Sequence, residues 1–350
     1  MTASIRIGDR TVGPGRPVLI IAEISANHGG SLERTLELIR VAADCGADAV
    51  KVQTYTADTM TIDSDEPRFV VGPGNPWSGR KLHELYREAA MPWEWYPELA
   101  VEAERHGIIL FSTPFDRSAV DFLVSNATAV LKIASFELTD LPLITAAAAT
   151  DLPLIMSTGM ATESEIDDAV SAATAAGAGG LALLRCNSAY PSPVDQMDLA
   201  TMTDMARRWQ TPVGLSDHTL DHTCAIVAVA LGASIVEKHF TRSRADGGPD
   251  ASFSLEPDEL AGLVTAVRAA ESSLGAVRYG PSDSDRPSLA FRRSLYVMAP
   301  IRAGDTLTLD NVASRRPAGG LAPRHLTDLV GRTAARDLEV GHPVEWEDLT

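Results

Sequence analysis

The feature that most limits the fold of this chain is a repeated unit: a short apolar run, a polar loop and an apolar pattern of helical spacing. The unit recurs eight times between about residues 18 and 275. We interpret the apolar runs as buried strands at 18–23, 49–53, 108–111, 130–133, 154–156, 181–184, 213–215 and 234–237. Strands that alternate with helices form a parallel sheet, and eight such units close into a barrel. The sequence therefore predicts an α/β fold, a (β/α)₈ TIM barrel.

Capping signals support the helices between these strands. Ser31 is a good N-cap for the helix after the first strand, and Gly46 provides its stop. Thr162 and Glu165 have the spacing of a capping box. The last helix carries leucine and valine on one face, at positions 260, 263, 264 and 267.

Two segments do not fit the repeated unit. Residues 58–91 are too long for an ordinary connection and are rich in glycine, proline and charge, which is typical of a functional lid. Residues 279–290 are rich in turn formers and predict a linker between a catalytic barrel at 1–278 and a small β-rich domain at 291–350. In the small domain we predict short strands at 294–297 and 305–307.

Charge and cysteine content exclude several classes of function. A formal charge of −17 disfavours nucleic acid or an anionic membrane as a partner, because the field of the protein would repel both. The three cysteines, Cys45, Cys186 and Cys224, are scattered and show no CxxC spacing, which disfavours disulfides and structural zinc. No apolar stretch approaches the length that spans a bilayer. We expect a soluble protein of a reducing cytoplasm.

Polar residues follow one predicted strand after another at its carboxyl end. In a TIM barrel these ends form the face where chemistry occurs, so the side chains should converge on one pocket. The residues are Glu23, Lys51, Gln53, Thr113, Lys132, Ser135, Glu137, Ser157, Ser188, Ser216, His218, Glu237 and His239.

Lys51 and Lys132 each lie in an otherwise apolar strand, where an ammonium group is costly unless an anion meets it. Pairing with a neighbouring Glu at the rim of the barrel would satisfy either lysine alone. Hydroxyl groups on adjacent strand ends favour a second interpretation, a bound phosphate or carboxylate. Phosphoenolpyruvate carries both of these groups.

His218 and His239 end the seventh and eighth strands, which are neighbours in the barrel, so their imidazoles can share one metal ion. Each alone is more often a structural histidine. With only two imidazoles and oxygen donors nearby, the pattern favours Mn²⁺ or Mg²⁺ over a closed zinc site. His222 is a competing ligand, but it would lie one turn inside the following helix.

Acidic residues at the same rim leave more than one role open. Glu23 and Glu137 are available for general acid/base catalysis or for binding sugar hydroxyls, or they neutralise the two lysines. Asp250 lies in a flexible turn after the last strand. It is either an ordinary turn residue or a group that reaches the pocket.

Seven motifs together resemble those of the sialic acid synthase family over nearly the whole chain. They are Glu23 with Asn27-His28-Gly29, Lys51-Val52-Gln53-Thr54, Ser112-Thr113-Pro114-Phe115, Ser157-Thr158-Gly159-Met160, Gly214-Leu215-Ser216-Asp217-His218-Thr219, Glu237-Lys238-His239-Phe240 and Gly248-Pro249-Asp250. Four further stretches resemble the branch of that family that makes pseudaminic acid. They are 54–59, 188–191, 253–257 and 134–137, where Phe136 replaces a small residue.

The resemblance implies a phosphoenolpyruvate-dependent synthase of nine-carbon 2-keto acids. Eight residues would bind phosphoenolpyruvate: Lys51, Gln53, Thr113, Lys132, Ser135, Ser157, Ser188 and Ser216. His218 and His239 would hold the metal, and Glu23, Tyr190 and Asp250 would hold the sugar or its water. Either the metal or Glu137 would assist the addition of water to the carbon that carries the phosphate.

The resemblance also implies a C-terminal antifreeze-like (SAF) domain and a domain-swapped homodimer. Arg316 would reach the active site of the partner subunit and contact the sugar. Relatives have Arg-Pro-Gly where this chain has Arg316-Pro317-Ala318. Alternatives are synthesis of N-acetylneuraminic or legionaminic acid from another N-acyl hexose, or a non-catalytic carbohydrate-binding barrel.

Overall fold

The computed structural model describes residues 4–74 and 76–350. The chain divides into two compact units between Gly275 and Ala276, and each is described by itself. No helix of the described residues is long and apolar enough to span a membrane.

The first unit is a closed barrel of eight parallel strands, which confirms the predicted fold. Each strand pairs with the next along the chain, and the last pairs with the first. The barrel strands are β3 (Leu19–Glu23), β4 (Ala49–Thr54), β5 (Ile109–Pro114), β6 (Leu131–Ile133), β7 (Leu154–Ser157), β8 (Leu181–Cys186), β9 (Val213–Asp217) and β10 (Ile235–His239).

Helices pack around the barrel. They are α1 (Leu32–Asp44), α2 (Ala57–Met60), α3 (Leu82–Ala89), α4 (Tyr96–Arg105), α5 (Arg117–Ser125), α6 (Leu141–Ala148), α7 (Glu163–Ala175), α8 (Thr201–Trp209), α9 (Thr223–Ala230) and α10 (Pro257–Leu274). Ser31 caps α1 by accepting from the Arg34 amide, and Thr162 and Glu165 form a capping box on α7. Both predicted caps are thus confirmed.

Two hydrophobic clusters show how the barrel strands bury alternate residues. One cluster contains residues from both strands and helices, so it fills the layer between barrel and helices. The other contains alternate strand residues such as Leu19, Ile21 and Phe111 but none from the helices, so it fills the interior of the barrel. The period of two along each strand therefore decides which side chains face inward.

An N-terminal hairpin, which the sequence reading did not anticipate, contributes to the interior cluster. Strands β1 (Ile5–Ile7) and β2 (Arg10–Val12) pair antiparallel, with Ile5 opposite Val12. Ile5, Ile7 and Val12 are buried in the same cluster as Leu19, near the amino ends of the barrel strands. The hairpin thus covers the end of the barrel opposite the polar strand ends.

The long segment at 58–91 has secondary structure of its own. It contains the end of α2, a turn of 3₁₀ helix at Pro67–Phe69, an isolated bridge between Val70 and Lys81, and α3. The carbonyl of Ala89, at the end of α3, lies 3.1 Å from Nε2 of His28. This contact attaches the segment to the loop that follows β3.

The second unit is small and contains little regular structure. Strands β11 (Ser294–Val297) and β12 (Val312–Arg315) pair antiparallel, and α11 (Leu326–Leu329) packs beside them. The predicted strand at 305–307 is wrong. Thr306 forms an isolated antiparallel bridge with Thr333, and backbone hydrogen bonds join 304–307 to 331–334, but the paired segment is too short to form a strand. Nine buried apolar side chains, including Leu295 and Val312, form its own core.

Candidate active site

The carboxyl ends of the barrel strands carry polar residues at positions that face inward. Leu19 and Ile21 are inside the barrel, so Glu23, two residues further on, is also inside. The same alternation leads from Ala49 to Lys51 and from Ile155 to Ser157. The predicted strand-end residues therefore surround one mouth above the interior core.

Lys51 lies between two carboxylates. Its Nζ is 2.6 Å from Oε2 of Glu23 and 3.7 Å from Oε1 of Glu237, and it donates to Oγ1 of Thr113 at 3.0 Å. Burial opposes the charged form, but the two carboxylates outweigh it and raise the pKa of Lys51. On this side of the mouth the lysine is already neutralised by the protein.

Lys132 has neutral partners. Its Nζ donates to Oγ of Ser157 at 2.6 Å and to the carbonyl of Ile133 at 3.0 Å. Burial lowers the pKa of Lys132 and outweighs the charge of Glu237, which raises it, and no carboxylate of the described residues lies close enough to form an ion pair. On this side the ammonium group has polar contacts but lacks a contacting counter-charge.

Gly159 leaves room for two hydroxyl groups next to Lys132. A Cβ at this position would lie 2.3 Å from Oγ of Ser188 and 2.8 Å from Oγ of Ser135, so no larger residue fits without displacing them. The Gly159 amide donates to Ser135 at 3.1 Å. The result is a cradle of hydroxyl groups beside a cation, which suits a phosphate or carboxylate.

A chain of hydrogen bonds links Glu23 to Asp250. The Gln53 amide nitrogen donates to Glu23 and to Oγ of Ser25, each at 2.9 Å. Ser25 in turn donates to Oδ2 of Asp250 at 2.5 Å, and the Ala26 amide donates to the same oxygen at 3.2 Å. Asp250 thus belongs to the mouth, although it follows the last barrel strand by eleven residues.

The two predicted imidazoles lie side by side, with ring centroids 5.3 Å apart. Nδ1 of His218 lies 2.9 Å from the carbonyl of Asn187, which leaves Nε2 to act as a ligand. Nδ1 of His239 is buried and has no hydrogen-bond partner among the described residues, and burial keeps the pKa of His239 well below its usual value.

The pair of imidazoles fits a metal ion that takes its remaining ligands from water or substrate. A neutral imidazole with a free nitrogen is a metal ligand, and a histidine anchored to a carbonyl is already oriented for this role. Among the described residues there is no cluster of three or more histidine, cysteine, aspartate and glutamate side chains that would form a closed site. His222, the competing candidate, packs against Gly262 of α10 instead.

One other predicted residue contacts the imidazole pair, and two more lie at or just after strand ends. Tyr190 packs its ring 4.3 Å from that of His218. Glu137 has a buried Oε2 without a partner in the described residues, and burial raises its pKa to about 7. Ser216 is buried on β9, one strand from Glu237. Phe136 is 60% exposed, as expected for a side chain at the rim.

Arg316 belongs to the second unit and is exposed there. It lies one residue after β12, and no ion pair of the described residues includes it. All three cysteines are free.

Two residues of the mouth, Cys186 and Ser25, were not among the predicted site residues. Cys186 faces inward by the same alternation that places Lys132 and Glu237 inside the barrel, so the period of two along β8 is a signal that finds it. Cys186 Sγ lies 3.9 Å from Nδ1 of His218. Ser25 has a backbone φ of 46°, which no feature of the sequence indicates.

Comparison with known proteins gives one consistent family. The sequence pattern of the NeuB family matches residues 38–279, and that of the SAF domain matches residues 292–350. A pseudaminic acid synthase of Campylobacter jejuni is 39% identical over 95% of this chain and 97% of the relative. An N,N'-diacetyllegionaminic acid synthase of Legionella pneumophila is 35% identical over 98% and 97%.

A similar solved structure is that of the N-acetylneuraminic acid synthetase of Leptospira borgpetersenii in complex with citrate. It has a TM-score of 0.74 and 32% sequence identity, and the match covers 83% of this chain and 96% of that chain.

Proposed function

Because this chain belongs to the NeuB family, we propose that it condenses phosphoenolpyruvate with an open-chain amino sugar to form a nine-carbon 2-keto acid, namely pseudaminic acid. The observation that carries the proposal is the mouth of the barrel. There a buried lysine that no carboxylate contacts lies beside hydroxyl groups on one side, and a pair of imidazoles lies on the other. One half suits an anion and the other suits a metal and an aldehyde.

Phosphoenolpyruvate binds on the side of Lys132. The ammonium group and the hydroxyls of Ser135, Ser157 and Ser188 surround one anionic group. The other anionic group of phosphoenolpyruvate is contacted by Lys51, Gln53, Thr113 and Ser216. The substrate supplies the negative charge that Lys132 lacks, so its binding relieves the cost of a buried cation.

The sugar binds on the side of Asp250 and Tyr190. Glu23 and Asp250, which are joined through Gln53 and Ser25, accept from its hydroxyl or amide groups. His218 and His239 would hold a divalent ion, Mn²⁺ or Mg²⁺, whose chemistry is to polarise the aldehyde oxygen. With both substrates bound in this way, C3 of phosphoenolpyruvate would lie next to the aldehyde carbon.

The reaction then needs one water molecule. C3 of phosphoenolpyruvate forms a bond to the aldehyde carbon, and C2 becomes an oxocarbenium centre. Glu137 in its carboxylate form takes a proton from the water that adds to C2. One proton of the water passes to the former aldehyde oxygen, which becomes a hydroxyl group. The C2–O bond to phosphate then breaks while the C2 hydroxyl loses the second proton to the leaving phosphate, and the products are the 2-keto acid and inorganic phosphate.

The sugar that fits the proposal is 2,4-diacetamido-2,4,6-trideoxy-L-altrose. Phe136 at the rim suits the methyl group of a 6-deoxy sugar better than a hydroxymethyl group. The pseudaminic acid synthase relative is also more similar than the legionaminic acid synthase relative, at nearly equal coverage. Steady-state kinetics with this sugar, with N-acetylmannosamine and with the legionaminic precursor test the choice, and faster turnover of either alternative would contradict it.

Release of phosphate tests catalysis itself. Phosphoenolpyruvate and the sugar together should release phosphate only when Mn²⁺ or Mg²⁺ is present, and mass spectrometry should find the nine-carbon product. A chain that releases no phosphate with any of the three sugars, in either metal, would be a carbohydrate-binding barrel instead.

The active unit is a domain-swapped homodimer in which Arg316 reaches the site of the partner subunit. The formal charge of −17 lies within residues 1–275, because residues 276–350 hold ten arginines, no lysine and ten acidic residues. An exposed arginine on the neutral unit is suited to an acidic neighbouring barrel.

Co-expression of two inactive variants tests this arrangement. Arg316→Ala and Lys132→Met should each be inactive alone. A hybrid dimer of the two recovers one intact site only if Arg316 acts across the dimer. Activity near one quarter to one half of wild type is expected, and no recovery in isolated hybrids would place Arg316 in its own subunit's site.

A further inference from the structure

A tryptophan from the long segment at 58–91 packs over the mouth of the barrel. The ring of Trp77 lies 5.6 Å from that of Tyr190 and 6.1 Å from that of Phe253. These two rings contact each other, with centroids 5.0 Å apart. Trp77 is the outermost of the three, and it is half-buried.

The two inner rings lie directly on the imidazole pair. Tyr190 is 4.3 Å from His218, and Phe253 is 5.0 Å from His239. Trp77, Tyr190 and Phe253 therefore form a continuous aromatic wall beside the position where the aldehyde is held. We use the term aromatic wall for these three residues.

Trp77 is held in this position by the loop that carries Asp250. Its indole nitrogen donates to the carbonyl of Pro249 at 2.8 Å. The next residue, Asp250, is fixed in turn by Ser25 and the Ala26 amide. The segment at 58–91 is thus joined to the sugar side of the mouth.

We propose that Trp77 is a specificity-determining residue, and that the aromatic wall binds the acetamido group next to the aldehyde. The inference rests on the proposed function. With the aldehyde at the imidazoles, the substituent on C2 is one bond away and is the group that reaches the wall. A flat amide with a methyl end packs on aromatic faces, whereas a hydroxyl group there would lose hydrogen bonds to water.

The test compares two sugars in three proteins. The sugars are the diacetamido trideoxy sugar and the same compound with a hydroxyl group at C2. The proteins are wild type, Trp77→Ala and Trp77→Phe. Trp77→Ala should lower kcat/KM for the diacetamido sugar by about 10- to 200-fold, the range for one apolar group in a pocket. Trp77→Ala should lower kcat/KM for the hydroxyl sugar far less and should leave the KM for phosphoenolpyruvate within about twofold. Trp77→Phe should retain most of the selectivity between the two sugars.

Trp209→Ala is the matched control, because Trp209 ends α8 and bonds Asp167 rather than the mouth. It should leave the selectivity unchanged. Equal losses for both sugars in Trp77→Ala, or no loss, would overturn the inference while wild-type turnover upholds the proposed function. A wild-type protein that turns over neither sugar would refute the proposed function instead.

Discussion

Two lysines at the mouth of the barrel differ in what surrounds them. Lys51 and Lys132 are both buried, both face inward, and both donate to a hydroxyl on the next strand. Lys51 also forms an ion pair with Glu23 and lies near Glu237, whereas Lys132 has a hydroxyl and a backbone carbonyl as its partners. The pKa of Lys51 is raised and that of Lys132 is lowered as a result.

The positive charge of Lys51 is therefore needed by the folded protein itself, whereas that of Lys132 is available to a ligand. Lys51 is the cation that contacts two buried carboxylates, and removing it leaves their charge without a contacting partner. A buried cation without a contacting anion costs stability until an anionic substrate arrives. The Lys51 side is therefore expected to support the fold in addition to completing the phosphoenolpyruvate site, and the Lys132 side to supply the charge that phosphoenolpyruvate binding requires.

Lys132→Met should have the largest effect on activity. Methionine fills the same space without charge, so kcat/KM for phosphoenolpyruvate should fall by at least about 10³-fold, the upper range for loss of one key donor in an active site. Stability in urea should stay equal or rise, because the variant removes a costly buried charge. Strong loss of stability would show that Lys132 has a structural role, and the comparison would fail.

Lys51→Met should have the largest effect on stability. It leaves the carboxylates of Glu23 and Glu237 buried without their cation, at a cost of about 3–5 kcal/mol in the free energy of unfolding. Urea denaturation of both methionine variants measures the contrast. The loss should shrink toward low pH, because protonation of the two carboxyl groups removes the unpaired charge. Equal stability of the two variants would contradict the distinction.

Much of the site could be predicted because the fold has one functional face. Each of Lys51, Lys132, His218 and His239 lies at a strand end, where position alone implies convergence. The surroundings of the two lysines could not be predicted, since both read as a cation between apolar residues. The difference arises from residues on other strands. Oε1 of Glu237, on β10, lies 3.7 Å from Nζ of Lys51, on β4, and a contact of this kind depends on side-chain conformation.

The fold was predictable where local signals and tertiary packing agree. The barrel strands and the caps at Ser31 and Thr162 follow from apolar runs and capping chemistry. The hairpin of β1 and β2 is only three residues per strand, too short for a clear period of two. In the second unit, Asp305-Thr306-Leu307 has the composition of a strand and pairs with 331–334 through backbone hydrogen bonds, but the pairing is limited to one bridge and is too short to form a strand. Short elements there depend on tertiary contacts that no local pattern records.

Ser25 tests whether the Lys51 side also positions the sugar through hydrogen bonds. Ser25→Ala removes the hydroxyl that joins Gln53 to Asp250 and keeps the backbone φ of 46°. Ser25→Gly removes the same hydroxyl but accommodates that φ, so it should be more stable than the alanine variant by about 1 kcal/mol. Both should lose about 10- to 100-fold in kcat/KM for the sugar, with the KM for phosphoenolpyruvate little changed.

The two substitutions distinguish the effect of losing the Ser25 hydroxyl from the effect of backbone strain at this residue. If the hydroxyl acts by holding Asp250, activity falls alike in both variants whatever their stability. Recovery of activity in the glycine variant would instead show that only the backbone conformation matters, and the hydrogen-bonded chain from Glu23 to Asp250 would lose its proposed role.

Glu137 is expected to give the smallest effect on activity, and it tests whether the Lys132 side also activates the water. Burial raises its pKa to about 7, and Oε2 has no partner in the described part of the chain. The group is protonated below that pH and a carboxylate above it. If the carboxylate is the base that takes a proton from water, kcat should rise by about tenfold from pH 6 to pH 8 and then level off, as the carboxylate fraction does.

Glu137→Gln removes the titrating group and should give a slower rate that is flat between pH 6 and pH 8. Circular dichroism over the same range confirms that the fold is unchanged, so that the profile reports on chemistry. A glutamine variant that keeps the tenfold rise would assign the titration to another group. A wild-type rate that falls with pH would mean that the protonated form acts as an acid. Either result would show that Glu137 is not the base. The expected rise of kcat with pH would instead show that the Lys132 side both binds the anion and activates the water.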